Sequence, residues 1–291
     1  MTQHTVLPEA PEPLPAITTD AHTHLGTTHD KTGVGVAELL ERARAVGVHR
    51  LVDVGCDAAS SAAAVELAEQ YPEVVATVAI HPHDVVELGD GLPQALAQVE
   101  ALLGSTERIR GVGETGLDYY WVRDDAGRAQ QREVFAIQIG WAQRHGLALV
   151  VHDREAHADL ADVLDAEGWP DRVQLHCFSG DVDFARRCLD AGAYLSFPGT
   201  VTFKANEHLR EALRITPRDR ILVETDAPYL TPMPFRGRPN ASFLLPQTVR
   251  FVAQLLGTDL DALCQQLDAN ATALFGDWGG AAPGRDRGSD G

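Results

Sequence analysis

The sequence predicts an α/β fold in which eight parallel strands close into a single-domain (β/α)8 barrel, or TIM barrel. Three observations support this prediction. Eight short apolar segments recur along the 291-residue chain. Most of them are followed by an amphipathic helical segment, and strands that alternate with helices are typical of parallel sheets. The alternation spans close to the roughly 250 residues that such barrels usually contain.

The predicted strands are short and rich in β-branched residues, as buried parallel strands are. In chain order they are AITTDA (16–21), RLVDVG (50–55), VVATVAI (74–80), IRGVGE (109–114), LALVVH (147–152), RVQLH (172–176), AYLSF (193–197) and RILVE (220–224).

Helices are predicted after most of the strands, and several of them end at glycine or just before proline, as helices commonly do. The segments are 35–47, 60–71, 92–103, 130–146, 157–169, 181–192 and 206–215, and two more, 245–257 and 259–276, follow the eighth strand. A doubly wound open sheet is the alternative. No G-x-G-x-x-G follows the first strand, which weakens the dinucleotide-binding form of that alternative.

The chain divides into one domain and two tails. Residues 1–16 contain four prolines and predict a flexible tail, residues 17–276 form the barrel, and the glycine-rich residues 277–291 predict a second flexible tail. The N-terminus has no basic, apolar signal-peptide pattern. No run of about 18 apolar residues indicates a membrane span. Four scattered cysteines without C-x-x-C spacing predict reduced thiols and a cytoplasmic protein. No obligate protein partner is indicated.

The net charge of −18 argues against a protein that coats nucleic acid. Such proteins usually carry a basic face, whereas this chain should repel polyanions at long range. Lys31 and Lys204 are its only lysines. The charge does not exclude an enzyme that binds a phosphate locally through metal ions and a few arginines.

Metal-binding or titratable residues end six of the eight predicted strands. In a barrel of this type, function collects at the carboxyl ends of the strands. Alternate residues of an extended chain project to one side, so the two histidines of the first pair should face the same way. The residues are His22 and His24 on strand one, His81 and His83 on strand three, Glu114 on strand four, His152 on strand five, His176 on strand six, and Glu224 and Asp226 on strand eight.

Each of these histidines alone is more typical of a hydrogen-bonded core residue, but several imidazoles and carboxylates at one mouth indicate a divalent-metal site. Imidazole suits Zn, Ni, Fe or Co, and carboxylate widens the range to Mn and Mg. The set exceeds what one tetrahedral ion with an open position needs, so two ions that share a carboxylate fit better. The other six histidines are expected at the surface.

Seven ordered motifs closely resemble the TatD family of metal-dependent hydrolases, within the amidohydrolase superfamily. The motifs are DAHTHL, AIHPHD, GVGETGLDYY, VVHDREA, LHCFSG, SFPGTVTF and ILVETDAPYLTPMPFRGRPN, and the match runs from about residue 17 to 275. The resemblance implies a TIM barrel, one or two divalent ions and phosphodiester hydrolysis on DNA. It also implies that His22, His24 and Asp226 bind one ion, that His152 and His176 bind the second, and that Glu114 bridges them.

Two positions depart from the pattern of the family. Asn240, Ala241 and Ser242 stand where an acidic residue and proline often follow the asparagine, which we expect to change the rim of the substrate cleft. Asp153 stands where a small polar residue is common. Some superfamily members bridge their metals with a carbamylated lysine at the end of strand four. Here Glu114 occupies that place, so this chemistry is set aside.

The expected catalytic residues are Asp226, Glu114 and one of the histidines of the HPH turn. Bound divalent ions lower the pKa of water toward ~7, so hydrolysis by a water activated by two metals is predicted, with Asp226 taking its proton. His81 or His83 is expected to contact the phosphate or protonate the leaving oxygen. A purely structural role for this turn is the alternative. Glu224 is expected to support the metal ligands through hydrogen bonds.

Candidate substrate contacts are arginines and tyrosines near the mouth. Arg154, Arg236 and Arg238 are possible phosphate clamps, since guanidinium matches phosphate bidentately. A salt bridge to Glu155 is the alternative for Arg154. Tyr119 and Tyr120 are candidates for stacking on a base, with loop packing as the alternative.

The resemblance predicts a phosphodiesterase or deoxyribonuclease of the 3'–5' exonuclease type, acting on single-stranded or end-accessible DNA. Hydrolysis of an aminoacyl ester, amide or lactone on the same barrel is the alternative, because metal ligands do not identify a substrate. A non-catalytic binding protein would be expected to have lost a ligand, and all six ligand positions are filled here.

Overall fold

Eight parallel strands form one sheet whose neighbours follow the order of the chain, which confirms the predicted barrel. The structure is a computed structural model and describes residues 6–278. Each strand overlaps the segment predicted for it. The strands are β1 (Thr18–Thr23), β2 (Val48–Val54), β3 (Val74–Val78), β4 (Ile109–Asp118), β5 (Ala148–Arg154), β6 (Val173–Leu175), β7 (Tyr194–Phe197) and β8 (Ile221–Val223).

Eleven α-helices occur within the described residues, nine of them in predicted segments. They are α1 (Leu25–Thr32), α2 (Val36–Ala45), α3 (Ala58–Gln70), α4 (Pro82–Glu87), α5 (Leu92–Leu102), α6 (Asp125–His145), α7 (His157–Glu167), α8 (Val182–Asp190), α9 (Glu207–Ile215), α10 (Leu245–Leu256) and α11 (Leu260–Phe275). The helices α1 and α4 are additional, and each begins directly after a histidine of the predicted site.

The barrel closes where the residues after β8 pair with the end of β1. Thr23 and Ala227 form an isolated parallel bridge. The backbone N–H of Asp226 donates to the carbonyl of His22 at 2.9 Å, and that of His24 donates to Ala227 at 2.9 Å. The first and the last strand therefore meet at the carboxyl end of the barrel, beside the predicted metal ligands.

Apolar side chains fill both layers of the barrel. One cluster packs the helices against the outside of the sheet, and a second occupies the interior, with Val150 and Leu222 among its members. Phe275 and Trp278 belong to the interior cluster, and Arg108, just before β4, donates to the carbonyl of Trp278. The amino end of the barrel is thus closed, and the carboxyl end is left for the site.

The described parts of the two predicted tails contact the barrel. Residues 6–16 contain no helix or strand, yet Leu14 is buried and its N–H donates to the carbonyl of Val46 at 3.0 Å. Trp278 is buried as well, so the packed domain extends two residues beyond 276. Residues 1–5 and 279–291 lie outside the described residues. Across the described residues, no helix has both the length and the apolarity needed to cross a membrane.

Candidate metal centre

The alternation of side chains along the strands brings the predicted ligands to one mouth. Val150 belongs to the interior cluster, and His152 follows two residues later on the same side of β5. Leu222 likewise belongs to that cluster, and Glu224 and Asp226 follow it at the same two-residue spacing. Toward the carboxyl end of the barrel, the apolar side chains of the interior are therefore followed by titratable side chains.

Glu114 lies at the centre of the cluster. Its Oε2 is 3.3 Å from His22 Nε2 and 3.8 Å from His24 Nε2. Its Oε1 is 2.6 Å from His152 Nδ1 and 2.8 Å from His176 Nε2. The two oxygens of this carboxylate therefore face different pairs of histidines.

Asp226 joins the first of these pairs. Its Oδ1 lies 3.4 Å from His24 Nε2 and 3.7 Å from His22 Nε2. Its backbone has a φ of 53°, in the left-handed region that aspartate enters more readily than most residues. This conformation places the carboxylate beside the first pair of histidines.

Polar partners behind three of the rings determine which nitrogen faces the centre. His24 Nδ1 donates to the carbonyl of Val54 at 3.0 Å, which leaves the lone pair on Nε2. His152 Nε2 lies 3.1 Å from Asp118 Oδ2, so Nδ1 faces Glu114. His176 Nδ1 lies 3.2 Å from Glu224 Oε1, so Nε2 faces Glu114. A partner behind the ring that sets its orientation is typical of metal-binding histidines.

Glu224, which is predicted to support the metal ligands, accepts hydrogen bonds from three residues. The backbone N–H of Cys177 and the hydroxyl of Ser196 donate to it, both at 2.6 Å, and the amide of Gln174 donates at 3.1 Å. Burial opposes the charged form, but the charge of His176 outweighs it, and the pKa of Glu224 falls to about 2. Glu224 is thus a fixed anion behind His176.

Asp118 is a candidate site residue that the strand-end pattern did not indicate. It is the last residue of β4, four positions beyond Glu114. Its Oδ1 accepts the backbone N–H groups of Tyr120 and Trp121, both at 3.1 Å, while Oδ2 faces His152. The predicted β4 ended at Glu114, so only the true length of the strand identifies Asp118 as a strand-end acid.

The donor set fits a divalent metal ion. The Nε2 atoms of His22 and His24 are only 3.3 Å apart, and His22 Nδ1 is buried without a hydrogen-bond partner within residues 6–278. Two nitrogens that approach each other across a carboxylate provide lone pairs for a cation. Imidazole and carboxylate together suit Zn, Fe, Co or Mn.

The protonation states are mixed around the centre. Burial raises the pKa of Glu114, but the charges of His176 and His81 and hydrogen bonds from His152 outweigh it and hold the pKa well below its usual value. Burial and the charge of His176 lower the pKa of His22. The pKa of His152 rises to about 9, because hydrogen bonds to Asp118 and Glu114 outweigh burial. Metal binding at His152 therefore displaces a proton.

The two histidines of the HPH turn differ. His81 Nδ1 accepts the backbone N–H of His83 at 3.1 Å, so a neutral His81 carries its hydrogen on Nε2, 3.5 Å from Glu114 Oε1. A nitrogen that carries hydrogen donates hydrogen bonds and does not bind metal. The side chain of His83 is 38% exposed and lies 3.5 Å from Glu87. His81 is therefore at the centre and His83 at the rim.

A cavity of about 780 Å³ opens above the cluster. Arg154 lies on its rim, with its guanidinium carbon 3.8 Å from the ring centroid of Tyr120 and 5.9 Å from that of Trp121. Within the described residues Arg154 forms no salt bridge, so the alternative pairing with Glu155 is not observed. Trp121 lines the cavity and is 59% exposed, although the sequence motifs did not indicate it.

Three predicted substrate contacts lie away from the metal cluster. Tyr119 is buried, and its hydroxyl donates to Asp159 at 2.7 Å, which matches the loop-packing alternative. The guanidinium of Arg238 donates to the carbonyls of Val6 and Leu7. The guanidinium of Arg236 lies over Phe203, in a neighbouring groove. None of these side chains lines the metal cavity.

The segment expected to change the rim is instead buried. Asn240 is fully buried, and its amide donates to the carbonyls of Thr225 and Tyr229 at 2.8 and 2.7 Å. The hydroxyl of Ser242 donates to Thr23 at 3.3 Å. The segment thus stabilises the seam between β8 and β1. Asn240 bonds backbone carbonyls that follow β8, and Ser242 bonds the side chain of the last residue of β1.

Comparisons with known proteins agree with this architecture. The family model described as TatD related DNase matches residues 19–276. A metal-dependent hydrolase TatD of Mycobacterium tuberculosis is 44% identical over 260 residues, covering 88% of this chain and 97% of that protein. A protein of Cronobacter sakazakii named 3'-5' ssDNA/RNA exonuclease TatD is 35% identical over 246 residues, covering 82% and 90%.

Solved structures agree as well. The crystal structure of YjjV, a TatD homolog from Escherichia coli, superposes with a TM-score of 0.80 at 26% identity, covering 89% of this chain and 98% of that one. A TatD family hydrolase of Entamoeba histolytica, at 17% identity and a TM-score of 0.76, shares the fold. The match of the family model over residues 19–276 establishes that this chain belongs to the TatD family of metal-dependent hydrolases.

Proposed function

We propose that this chain is a phosphodiesterase that uses two divalent ions to remove nucleotides from the 3' end of single-stranded or end-accessible DNA. The observation that carries the proposal is the position of Glu114, whose two oxygens face separate pairs of histidines. Two-metal sites are frequent in nucleases and phosphatases. The printed name of the Cronobacter relative supports the choice of substrate and polarity.

The proposed ligands follow from the distances. His22, His24 and Asp226 with Glu114 Oε2 would hold one ion. His152 and His176 with Glu114 Oε1 would hold the second ion. When bound, the ions supply polarisation of the phosphoryl oxygens and acidification of a water molecule. The imidazole-rich donor set favours Mn, Fe, Co or Zn over Mg.

The protein's own side chains supply the remaining roles. The Asp226 side chain is 13% exposed, so its carboxylate can accept the proton of the attacking water. His81 donates a hydrogen bond from Nε2 to a phosphoryl oxygen, because its Nδ1 is already an acceptor. Arg154 clamps the phosphate from the rim, where Tyr120 holds its guanidinium in place.

The charge of the chain shapes the expected affinity. With a net charge of −18, long-range attraction for DNA is absent, and binding depends on the ions and a few cations at the mouth. We therefore expect modest affinity, steep metal dependence and a preference for an accessible strand end. Equal cleavage rates on single-stranded, duplex and 3'-overhang oligonucleotides would contradict this expectation.

The test is cleavage of end-labelled oligonucleotides after chelation and stepwise return of Mg, Mn, Zn, Fe or Co. Activity should disappear with the metal and return with it. Asp226→Asn should lower kcat by about 10²–10⁴-fold, the usual contribution of a general base. Release of labelled mononucleotides from the 3' end is the expected product.

The same preparation tests the alternative substrates. An aminoacyl ester, an amide and a lactone are incubated with the metal-loaded protein beside the oligonucleotides. Faster hydrolysis of one of these compounds, with intact oligonucleotides, would reject the nuclease proposal and keep the metal centre. The cytoplasmic location and the absence of an obligate protein partner stay predictions.

A further inference from the structure

A second groove adjoins the metal cavity. It has a volume of about 470 Å³, and Lys31, Phe203, Tyr229 and Arg236 are among the residues that line it. Tyr229 also lines the metal cavity, so the two spaces share a wall. A ligand that extends out of the cavity past Tyr229 therefore enters this groove.

Lysine and arginine side chains without a partner are concentrated around the metal cavity and the groove. Within residues 6–278, most arginines donate to a carboxylate or a carbonyl, as expected for a chain with 42 acidic and 24 basic residues. Only four cationic side chains there form neither an ion pair nor a hydrogen bond with the described protein, namely Lys31, Arg154, Lys204 and Arg236. Arg154 lines the cavity, and Lys31 and Arg236 line the groove.

Each of these three cations lies over an aromatic ring. Lys31 Nζ is 4.9 Å from the centroid of Tyr229, and Arg236 Cζ is 4.7 Å from that of Phe203. Tyr229 is 48% exposed, so about half of this side chain is open to solvent. A cation beside an open ring is the combination that binds unpaired nucleotides, because the cation takes the phosphate and the ring takes the base.

We propose that this groove is a second subsite, in which Lys31 and Arg236 bind a phosphate and Tyr229 stacks on a base of a single strand whose terminal nucleotide lies in the metal cavity. The inference rests on the proposed function and adds a requirement for chain length. A strand long enough to pass Tyr229 gains the groove contacts, whereas a dinucleotide held in the cavity does not.

The experiment measures binding of a labelled single-stranded oligonucleotide and of a labelled dinucleotide by fluorescence anisotropy, in the Asp226→Asn background, which slows cleavage, at a saturating concentration of divalent metal. Arg236→Ala and Lys31→Ala should each weaken oligonucleotide binding about tenfold, as loss of a hydrogen bond to a charged group does. Each should also lower the slope of log affinity against log salt by about 0.7. Dinucleotide binding should not change.

Two further variants separate the groove from net charge and from the ring. Arg186→Ala removes the same charge from an exposed residue paired with Asp183 on α8, and it should leave both affinities unchanged. Tyr229→Ala should weaken oligonucleotide binding, and Tyr229→Phe should restore it because the ring remains. The side chains changed in the groove and in the control are all exposed, so the fold is expected to persist, which circular dichroism checks.

The outcomes distinguish the two proposals. If Arg236→Ala behaves like Arg186→Ala, or if both ligands weaken equally, the groove is rejected while the nuclease proposal stands. If the unmodified protein neither binds nor cleaves the oligonucleotide, the nuclease proposal fails and the groove proposal fails with it. A tenfold loss confined to the longer ligand, with the smaller salt slope, supports the subsite.

Discussion

A single aspartate connects the metal centre to the substrate rim. Asp118 faces His152 with one oxygen and accepts the backbone N–H groups of Tyr120 and Trp121 with the other. Tyr120 in turn lies under Arg154. One side chain therefore orients a proposed metal ligand and the loop that carries a proposed phosphate clamp.

Asp118→Asn should lower metal affinity or kcat by about 10–100-fold, the usual effect of removing a carboxylate behind a ligating histidine. Metal content by mass spectrometry and kcat on a single-stranded oligonucleotide measure it. Asp159→Asn is the matched control, because Asp159 bonds Tyr119 and Arg132 outside the cavity. Equal losses in the two variants would show that Asp118 acts only on the fold.

The residue types of the site could be predicted, but their contacts could not. All six proposed ligands lie among the residues selected by the rule that barrel strands deliver function at their carboxyl ends, and the resemblance to the family separates them from His81, His83 and Glu224. The nitrogen that each ring presents depends on partners from other strands, such as Val54 for His24. Tyr119 and Arg238 were predicted to contact substrate because they stand near the strand ends in the sequence. In the structure both side chains instead form hydrogen bonds with residues that the sequence does not indicate as neighbours.

At the scale of elements, the two unpredicted helices show why local patterns fall short. The helix α1 has the sequence LGTTHDKT, and glycine and threonine are weak helix formers. Its first free backbone N–H, on Leu25, donates to the buried carboxylate of Asp53 at 2.8 Å. Because this partner comes from β2, the sequence of α1 alone does not predict where the helix begins.

The start of α7 contains a pH-sensitive contact. His157 Nδ1 lies 2.5 Å from Asp153 Oδ2, and this hydrogen bond, with the charge of Asp153, outweighs burial and raises the pKa of His157 above 6.5. A raised folded pKa stabilises the fold fully below the unfolded value, and the stabilisation is lost as the pH rises through the folded value. Asp153, a departure from the family pattern, thus has a structural partner.

The free energy of unfolding of the unmodified protein minus that of His157→Gln should therefore fall as the pH rises from about 6.5 upward. Chemical denaturation at a series of pH values measures it, and Glu133→Gln, on the exposed side of α6, serves as the control. A difference that is independent of pH, or that grows as the pH rises, would contradict the assigned contact.

At the scale of the whole molecule, the proposed metal ligands come from the carboxyl ends of five strands, β1, β4, β5, β6 and β8, so bound metal should stabilise the entire barrel. An ion at a hundred times its Kd adds about 2.7 kcal/mol per site if only the folded state binds it. At about 2–4 °C per kcal/mol for domains of a few hundred residues, Tm should rise by several degrees.

Scanning calorimetry of stripped and metal-loaded protein measures this shift. Asp226→Asn should show a smaller shift, because it removes one ligand from the first set. The Arg186→Ala variant should behave as the unmodified protein does. A Tm that does not respond to chelation would overturn the metal centre and, with it, the proposed hydrolysis.

The two sets of proposed ligands differ in which strands must come together before each set is complete. His152, His176 and Glu114 come from the consecutive strands β4, β5 and β6, so their set can assemble within one continuous part of the chain. His22 and His24 need Asp226, which reaches them only when the last strand has docked on the first. An ion bound by that set would therefore require the barrel to be closed, and it would link the first strand of the chain to the last.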